Sequence, residues 1–439
     1  MRGSVWIGAV VASSLLGAAP AYAKKKKPLP VPVAAPVEAP DPTPVGRFYQ
    51  QRAYTPIWFR EAGGGQAAAT LVTILKRAPL DGLDNGQLLA AEVQGAIARA
   101  STGDQMAVRA AEKTLSNAWV TYVAAIEKPI PGMIYGDPAV RIQPSRPERV
   151  MYQLANAPSL VAHITSVSNV NPIYAGLRQA ALQEAELPGG GLSAKVIANL
   201  ERARGLPAKG RFVLVDVPSA TLWMYEDGVA VDQMKVVVGM PQYPTPMVAS
   251  MIHYTTFNPY WHVPDHLVVK TVAPNVVKQG PAYLKTRGYE VVSEWSDNAA
   301  IVPPSEVDWK AAAAGKVQVK VRQLPGGANS MGKMKFPFAN GEGIYLHDTP
   351  DRAKFDKERR DLSNGCIRVE RAADLARWLF GRQPDALTSK APEQHVALGR
   401  GVPVYVTYLT AQQQDGKLVI LDDPYGRDAA VATRSGALR

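Results

Sequence analysis

The hydrophobic period changes once along this chain of 439 residues, near Gly210, and that change restricts the fold more than any other feature. Upstream, apolar residues recur at three and four spacings over 66–78, 87–100 and 104–127, as amphipathic helices require. Further helices are expected over 149–155, 173–186 and 193–204. Downstream, β-branched and aromatic residues take over in 211–217, 222–225 and 229–238, with Asp227-Gly228 placed to turn the second strand into the third. Strands continue at 252–257, 317–321, 343–347 and 403–409. The chain is therefore expected to be α+β, with a helical domain over 45–207, a β-rich domain over 208–428 and a short tail at 429–439. A segment of mixed pattern over about 265–326, with a helix at 267–277 and a strand at 290–293, reads as an insertion capping the β core. A helix is expected over 369–381, closed by Gly381. No period over 1–205 indicates a solenoid.

The amino end reads as a leader. Arg2 precedes an apolar run over 5–19, and Ala21-Tyr22-Ala23 has the small-x-small form that signal peptidase cuts, so 1–23 is expected to be a signal peptide. The run is short for a bilayer span, and no later stretch is long and apolar enough for one. Residues 24–44 follow as a linker, in which 28–44 holds seven prolines among small residues and acids, a stiff tether that cannot pack a core. The expected location is therefore the periplasm. The net charge of +11 is partly local, because 24–27 is a run of four lysines. In an exported protein that excess favours anionic polymers or membrane faces, and nothing in the chain resembles a nucleic-acid-binding module.

Among 439 residues there is one cysteine, Cys366. It cannot form an internal disulfide, so it is either buried and inert or present for chemistry. Its neighbours Ser363-Asn364-Gly365-Cys366-Ile367-Arg368 favour chemistry. Placed ahead of the expected 369–381 helix, the thiol would feel the positive end of the dipole, and Arg368 adds charge, both favouring thiolate. An ordinary thiol is only about 3 % thiolate at pH 7, so such help matters. Gly365 permits a sharp turn that brings backbone N–H groups toward an incoming carbonyl, as an oxyanion hole requires. Acyl transfer also needs a proton carrier. His347, nineteen positions before Cys366, ends the 343–347 strand ahead of a turn at Asp348-Thr349-Pro350, where it can project into a cleft. As one of six scattered histidines it is, on these grounds alone, a fair candidate and no more.

Several ordered motifs carry a resemblance. IYLHDTP at 344–350 and SNGCIR at 363–368 resemble the His and Cys motifs of YkuD-type L,D-transpeptidases, in the large YcbB-type variant. NPYWHVP at 258–264, the block from Arg322-Gln323-Leu324-Pro325-Gly326 to Lys335-Phe336, and 408–411 with 423–428 are similar to further segments of that variant. The resemblance runs with gaps from about 171 to 428. It implies a β-rich YkuD-like catalytic domain with an inserted cap, preceded by an all-helical scaffold. It also implies attack on the amide between diaminopimelate and D-Ala of a tetrapeptide stem, release of D-Ala, and transfer of the thioester to a second diaminopimelate, giving a 3→3 cross-link. By position Cys366 would be the nucleophile and His347 the base, with Gly365 and Asn364 in the Cys loop and Tyr345, Trp261, Asn258, Arg368 and Ser363 near the substrate. The partners implied are donor and acceptor stem peptides, with penicillin-binding proteins as a candidate partner class, and a carbapenem adduct is expected at Cys366. No step requires a metal or organic cofactor. Two departures stand out: the family's peptidoglycan-binding insertion is replaced near 188–193 by PGGGLS, and Asn364 stands where His is frequent. Water in place of the acceptor amine would make the same site an L,D-carboxypeptidase, and loss of activity would leave a wall-binding scaffold protein.

Other patterns have blander readings. GANSMGKM at 327–334 lacks the Ser or Thr of a phosphate loop. His262 and His266 have zinc-like spacing, but Pro264 between them opposes a regular helix, and structural histidines are expected. Arg368 either holds a substrate carboxylate or braces the Cys loop against an acid. Trp261 is either core or the aromatic wall of a cleft. Asp348, next to His347 on a strand, should face away from it, so a backbone carbonyl is the expected orienter of the imidazole.

Overall fold

The structure, a computed structural model, describes residues 39, 41–60, 65–187, 192–296, 298–385 and 389–428. The expected signal peptide, residues 24–38 and 40 of the proline-rich linker, residues 188–191 of PGGGLS and the 429–439 tail lie outside the described residues. Among the described residues no helix is long and apolar enough to cross a membrane.

The amino-terminal part packs α1 (Pro44–Gln51), α2 (Gly65–Arg77), α3 (Gly86–Ala100) and α4 (Gln105–Ile126) around Trp58, Leu71, Leu115 and Trp119. Asp104 caps α4 by accepting the Ala107 N–H at 2.8 Å, satisfying one of the donors a helix start leaves open. The buried Glu112 carboxylate accepts N–H groups from Ile57, Trp58 and Phe59, pinning the turn before α2 to the middle of α4. After α4 the two-residue strand β1 (Ile134–Tyr135) leaves this layer, so the part is helical but for that excursion. The helices α5 (Pro147–Ala155), α6 (Leu160–Asn169), α7 (Pro172–Ala185) and α8 (Ala194–Arg204) follow. Buried Asp81 ties the layers together: it accepts from Tyr122 at 2.8 Å, from Arg178 at 3.0 Å and from the Tyr174 hydroxyl.

The carboxy-terminal part begins with the meander β2 (Arg211–Asp216), β3 (Thr221–Glu226) and β4 (Val229–Gly239). Asp227 and Gly228, both at positive φ, make the tight turn between the last two, as the right-handed strand twist favours. β5 (Val248–Phe257) pairs with β1, drawing the helical part onto the sheet. The cap then comprises β6 (Trp261–His262), α9 (Asp265–Leu267), a π-helical turn at Val268–Val272, α10 (Ala273–Gln279), α11 (Ala282–Thr286), β7 (Tyr289–Val292), α12 (Trp309–Ala313) and β8 (Lys320–Gln323). It has its own core of Val263, Val272, Val276, Leu284, Val291, Trp309 and Val321. β6 pairs with β8, so the cap runs from Trp261 to Gln323, a few residues earlier at both ends than the sequence pattern places it.

The chain returns with β9 (Met334–Pro337), β10 (Tyr345–His347), β11 (Asp361–Ser363), β12 (Ile367–Val369), α13 (Ala372–Phe380), β13 (Gln394–Thr407), β14 (Ala411–Gln414) and β15 (Lys417–Ile420). The large sheet runs β1-β5-β13-β2-β3-β4-β12-β10-β9, and β9 also pairs with β5, so eight strands close on themselves. Inside lie Val213, Leu222, Val236, Phe257, Phe336, Leu346, Ile367 and Val404, sealed by Leu375 and Leu379 of α13.

One expectation is corrected here. Cys366 does not precede a helix: Ile367 and Val369 are buried on either side of the more exposed Arg368, an alternation that makes 367–369 a strand, and the helix begins only at Ala372. The helix dipole therefore does not reach the thiol.

Candidate active site

Strands β10 and β12 lie side by side in parallel, with Leu346 opposite Ile367 and His347 opposite Arg368. Leu346 and Ile367 point into the barrel, so Tyr345, His347, Cys366 and Arg368 share the other face. β9 runs antiparallel on the far side of β10 and sets Lys335 opposite His347. Strand register thus gathers residues from three sequence segments around one sulfur.

The Cys loop is held from both sides. Ser363 Oγ donates to the Cys366 carbonyl at 2.6 Å and accepts the Gly365 N–H at 3.2 Å. Thr245 Oγ1 donates to the Gly365 carbonyl at 2.7 Å while accepting the Gly239 N–H at 2.8 Å. Gly365 has φ +110°, and a Cβ there would lie 3.1 Å from the Ile344 side chain, so the turn needs a glycine. With its N–H engaged by Ser363, Gly365 offers that donor to the loop and not to an incoming carbonyl.

His347 is 3 % exposed, and its Nδ1 donates to the Asp348 carbonyl at 2.5 Å. A carbonyl only accepts, so Nδ1 carries the proton and Nε2 is the free base. The Asp348 carboxylate faces elsewhere, accepting the Lys333 N–H at 2.8 Å. Burial first, then the charges of Arg368 and Lys335, hold the imidazole down at about 3, with the Asp348 hydrogen bond opposing. Cys366 is half-buried, and burial pushes its thiol up; the Tyr345 N–H and hydroxyl, Lys335 and Arg368 pull the other way. The resting pair is consequently neutral thiol and neutral imidazole, where the sequence suggested a standing thiolate. Such a pair transfers its proton as the nucleophile attacks.

Residues 210–406 match the family model of the YkuD L,D-transpeptidase catalytic domain, and residues 43–180 match the model of a Scaffold domain. This region belongs to the YkuD L,D-transpeptidase family. A Haemophilus influenzae protein provisionally described as an L,D-transpeptidase is 31 % identical over 247 residues, covering 55 % of this chain and 49 % of its own. The chain thus spans about half the length of the curated relative it matches. Among solved structures, the Enterococcus faecium L,D-transpeptidase catalytic domain acylated by ertapenem is 14 % identical, covering 45 % of this chain and 97 % of its own at a TM-score of 0.23. An L,D-transpeptidase from Mycobacterium smegmatis is 14 % identical, covering 46 % and 59 % at a TM-score of 0.22. Those superpositions are too loose to transfer any residue's role.

The remaining positions in the L,D-transpeptidase domain divide by what they touch. Asn364 is exposed at the tip of the Cys loop. Tyr345 neighbours Cys366 by strand register, and Cys366 Sγ donates to the Gly343 carbonyl at 3.8 Å. Arg368 reaches Asp351 at 3.8 Å, and its buried Nε has no partner. Ser363 is 2 % exposed and spent on the loop, so it braces the Cys366 turn and does not line a substrate surface. Asn258, at φ 47°, donates to the Ser389 and Ala391 carbonyls and fixes the chain before β13. Trp261 packs against the cap core with its ring 6.4 Å from Tyr289, which is the packing reading of that residue. The His262 ring lies tilted 4.6 Å from that of Trp295, and His266 stacks on Tyr243, so each is engaged by an aromatic ring.

Three contributors escaped the sequence reading. Thr245 clasps Gly365 from a loop with no motif of its own. Lys335 reaches the site by register alone. Asn329, 1 % exposed, donates to the Pro259 and Leu324 carbonyls and so joins the two stems of the cap. The cap also touches the loop beside Gly365: Lys270 Nζ donates to the Tyr243 hydroxyl at 2.7 Å, and the His266 ring lies 5.3 Å from that of Tyr243.

Proposed function

We propose that this chain is an exported peptidoglycan L,D-transpeptidase that forms 3→3 diaminopimelate cross-links through a thioester on Cys366. His347 Nε2 takes the thiol proton while Sγ attacks the carbonyl carbon of the amide between diaminopimelate and D-Ala. The C–N bond breaks, the imidazolium returns the proton to the departing D-Ala amine, and the acyl group remains on sulfur. The side-chain amine of a second diaminopimelate then attacks the thioester, gives its proton to His347, and expels Cys366 as the thiolate, which recovers that proton from the imidazolium. Every step is a proton or acyl transfer between these groups and the substrates.

The observation that carries this reading is that Cys366 leads into β12 directly beside β10, the strand that ends on His347, on the same face of the sheet, with the imidazole fixed as a base by the Asp348 carbonyl. Periplasmic export through the 1–23 leader would bring the enzyme to its substrate, and penicillin-binding proteins working on the same wall are the partner class proposed. The test is product analysis of purified tetrapeptide muropeptides incubated with the protein. Cross-linked dimers with free D-Ala, absent with Cys366→Ala, are the expected outcome. Tripeptide alone at high acceptor concentration would assign an L,D-carboxypeptidase, and unchanged substrate would leave a wall-binding scaffold protein.

A further inference from the structure

Lys335 is a cation that neither the Cys motif nor the His motif contains. It stands opposite His347 across the β9–β10 pair, and directly opposed residues on an antiparallel pair share a face. Its Nζ lies 4.2 Å from the centre of the Tyr345 ring, a position in which the ring's negative face attracts the ammonium. By the β10–β12 register Tyr345 neighbours Cys366, and its hydroxyl and backbone N–H both favour the thiolate of that sulfur. The Tyr345 ring is also 6.0 Å from the ring of His347. Lysine, tyrosine and cysteine therefore form an ordered line on the face that carries the base.

We infer that Lys335 is a positioning residue for the Cys366 sulfur: its ammonium, seated on the Tyr345 ring, fixes and polarises the hydroxyl beside the sulfur so that it donates to and stabilises the attacking thiolate. A hydrogen bond to an ionised acceptor is roughly twice as strong as one to a neutral acceptor, so a donor held in place before proton transfer gains strength as the thiol ionises. The inference deepens the acyl-transfer reading of this site but is tested on the thiol alone, so it can fail while that reading stands.

The groups that face the sulfur set the controls. Tyr345 comes from β10, Lys335 from β9 and Arg368 from β12, with His347 on the same face of β10. Glu393 and Asp351 act on the cations: Glu393 is the largest charge opposing the desolvation of Lys335, and Asp351 pairs with Arg368 at 3.8 Å. Removing Lys335 leaves Arg368 and both tyrosine donors in place, so the thiol should weaken as an acid without losing its site.

Because the chain holds one cysteine, iodoacetamide reports on Cys366 without background from other thiols. The alkylation rate of the full chain is measured across pH for wild type, Lys335→Met, Lys335→Arg, Tyr345→Phe and the Met–Phe double variant, with thermal melting to check the fold. Lys335→Met is expected to move the midpoint up by about one pH unit, or about tenfold slower alkylation at neutral pH, and Lys335→Arg to restore the rate to within about threefold. In the Tyr345→Phe background, Lys335→Met should add less than about twofold, since the effect passes through the hydroxyl. An unmoved midpoint in Lys335→Met, or the same tenfold loss with and without the hydroxyl, would overturn the inference. If Lys335→Met does not fold, Lys335→Gln replaces it, and its difference from the charged Lys335→Arg decides.

Discussion

Acid should destabilise this protein through His347, and by an amount the structure allows to be worked out. An ordinary histidine titrates near 6.5, whereas the buried imidazole of His347 is held at about 3. The folded state therefore binds its proton more weakly than the unfolded state. Above about pH 6.5 both states leave the imidazole neutral and the group costs nothing. As pH falls from there toward 3, unfolding takes up a proton that folding excludes, and stability drops by about 1.4 kcal/mol per pH unit. Between pH 7 and pH 5 this one group should cost about 2 kcal/mol. His347→Gln, which keeps a polar group of similar bulk and does not titrate, should remove that part of the acid sensitivity. Urea unfolding of both proteins at pH 7 and pH 5 measures it: wild type should lose about 2 kcal/mol more than the variant over that interval. Parallel losses in the two proteins, or a His347 ring that titrates near 6.5 by NMR, would refute the claim that His347 is buried as a neutral base.

Other outcomes follow from the same contacts. Gly365→Ala should cost about 1–3 kcal/mol in thermal or urea unfolding, because φ +110° strains any other residue and the new methyl crowds Ile344. Lys270→Met, which removes the hydrogen bond from the cap to Tyr243, should raise the ratio of tripeptide to dimer product if the cap limits water at the thioester, while leaving total D-Ala release nearly unchanged. A carbapenem should add its mass to the tryptic peptide containing Cys366; an adduct on a serine would contradict the assignment of the nucleophile.

The parts legible in the sequence are those decided locally. The period of three and four placed α2, α3 and α4 to within two residues, because a buried stripe and a polar cap such as Asp104 are written into the helix itself. The β2–β4 meander was legible through alternation and through Asp227-Gly228, whose positive φ values the tight turn requires. Helix α6 was missed since Val, Ile, Thr and Ser dominate it, and its helicity comes from the Ser159 cap and from burying Leu160 and Ile164. Strand β1 is two residues long and exists only because β5 offers a free edge. Closure of the barrel through β5 and β9 joins segments separated by the entire cap, and no local pattern announces it. The same limit applies to the site. Cys366 and His347 could be nominated from their motifs, but the strand leading out of Cys366, the Asp348 carbonyl that orients the imidazole, and the arrival of Lys335 and Thr245 are consequences of register and loop packing. They change the electrostatic picture from a thiolate at a helix end to a neutral pair waiting for substrate.

The central claim is that Cys366 carries the acyl group, with His347 as the base that moves its proton. Acid quenching of the protein during turnover of a tetrapeptide muropeptide, followed by mass spectrometry of the peptide containing Cys366, tests it most directly. The expected result is an added mass equal to the donor less D-Ala, accumulating far more slowly in His347→Gln and absent in Cys366→Ala. Product formation in wild type with that mass on another residue, or undiminished turnover by Cys366→Ala, would contradict it.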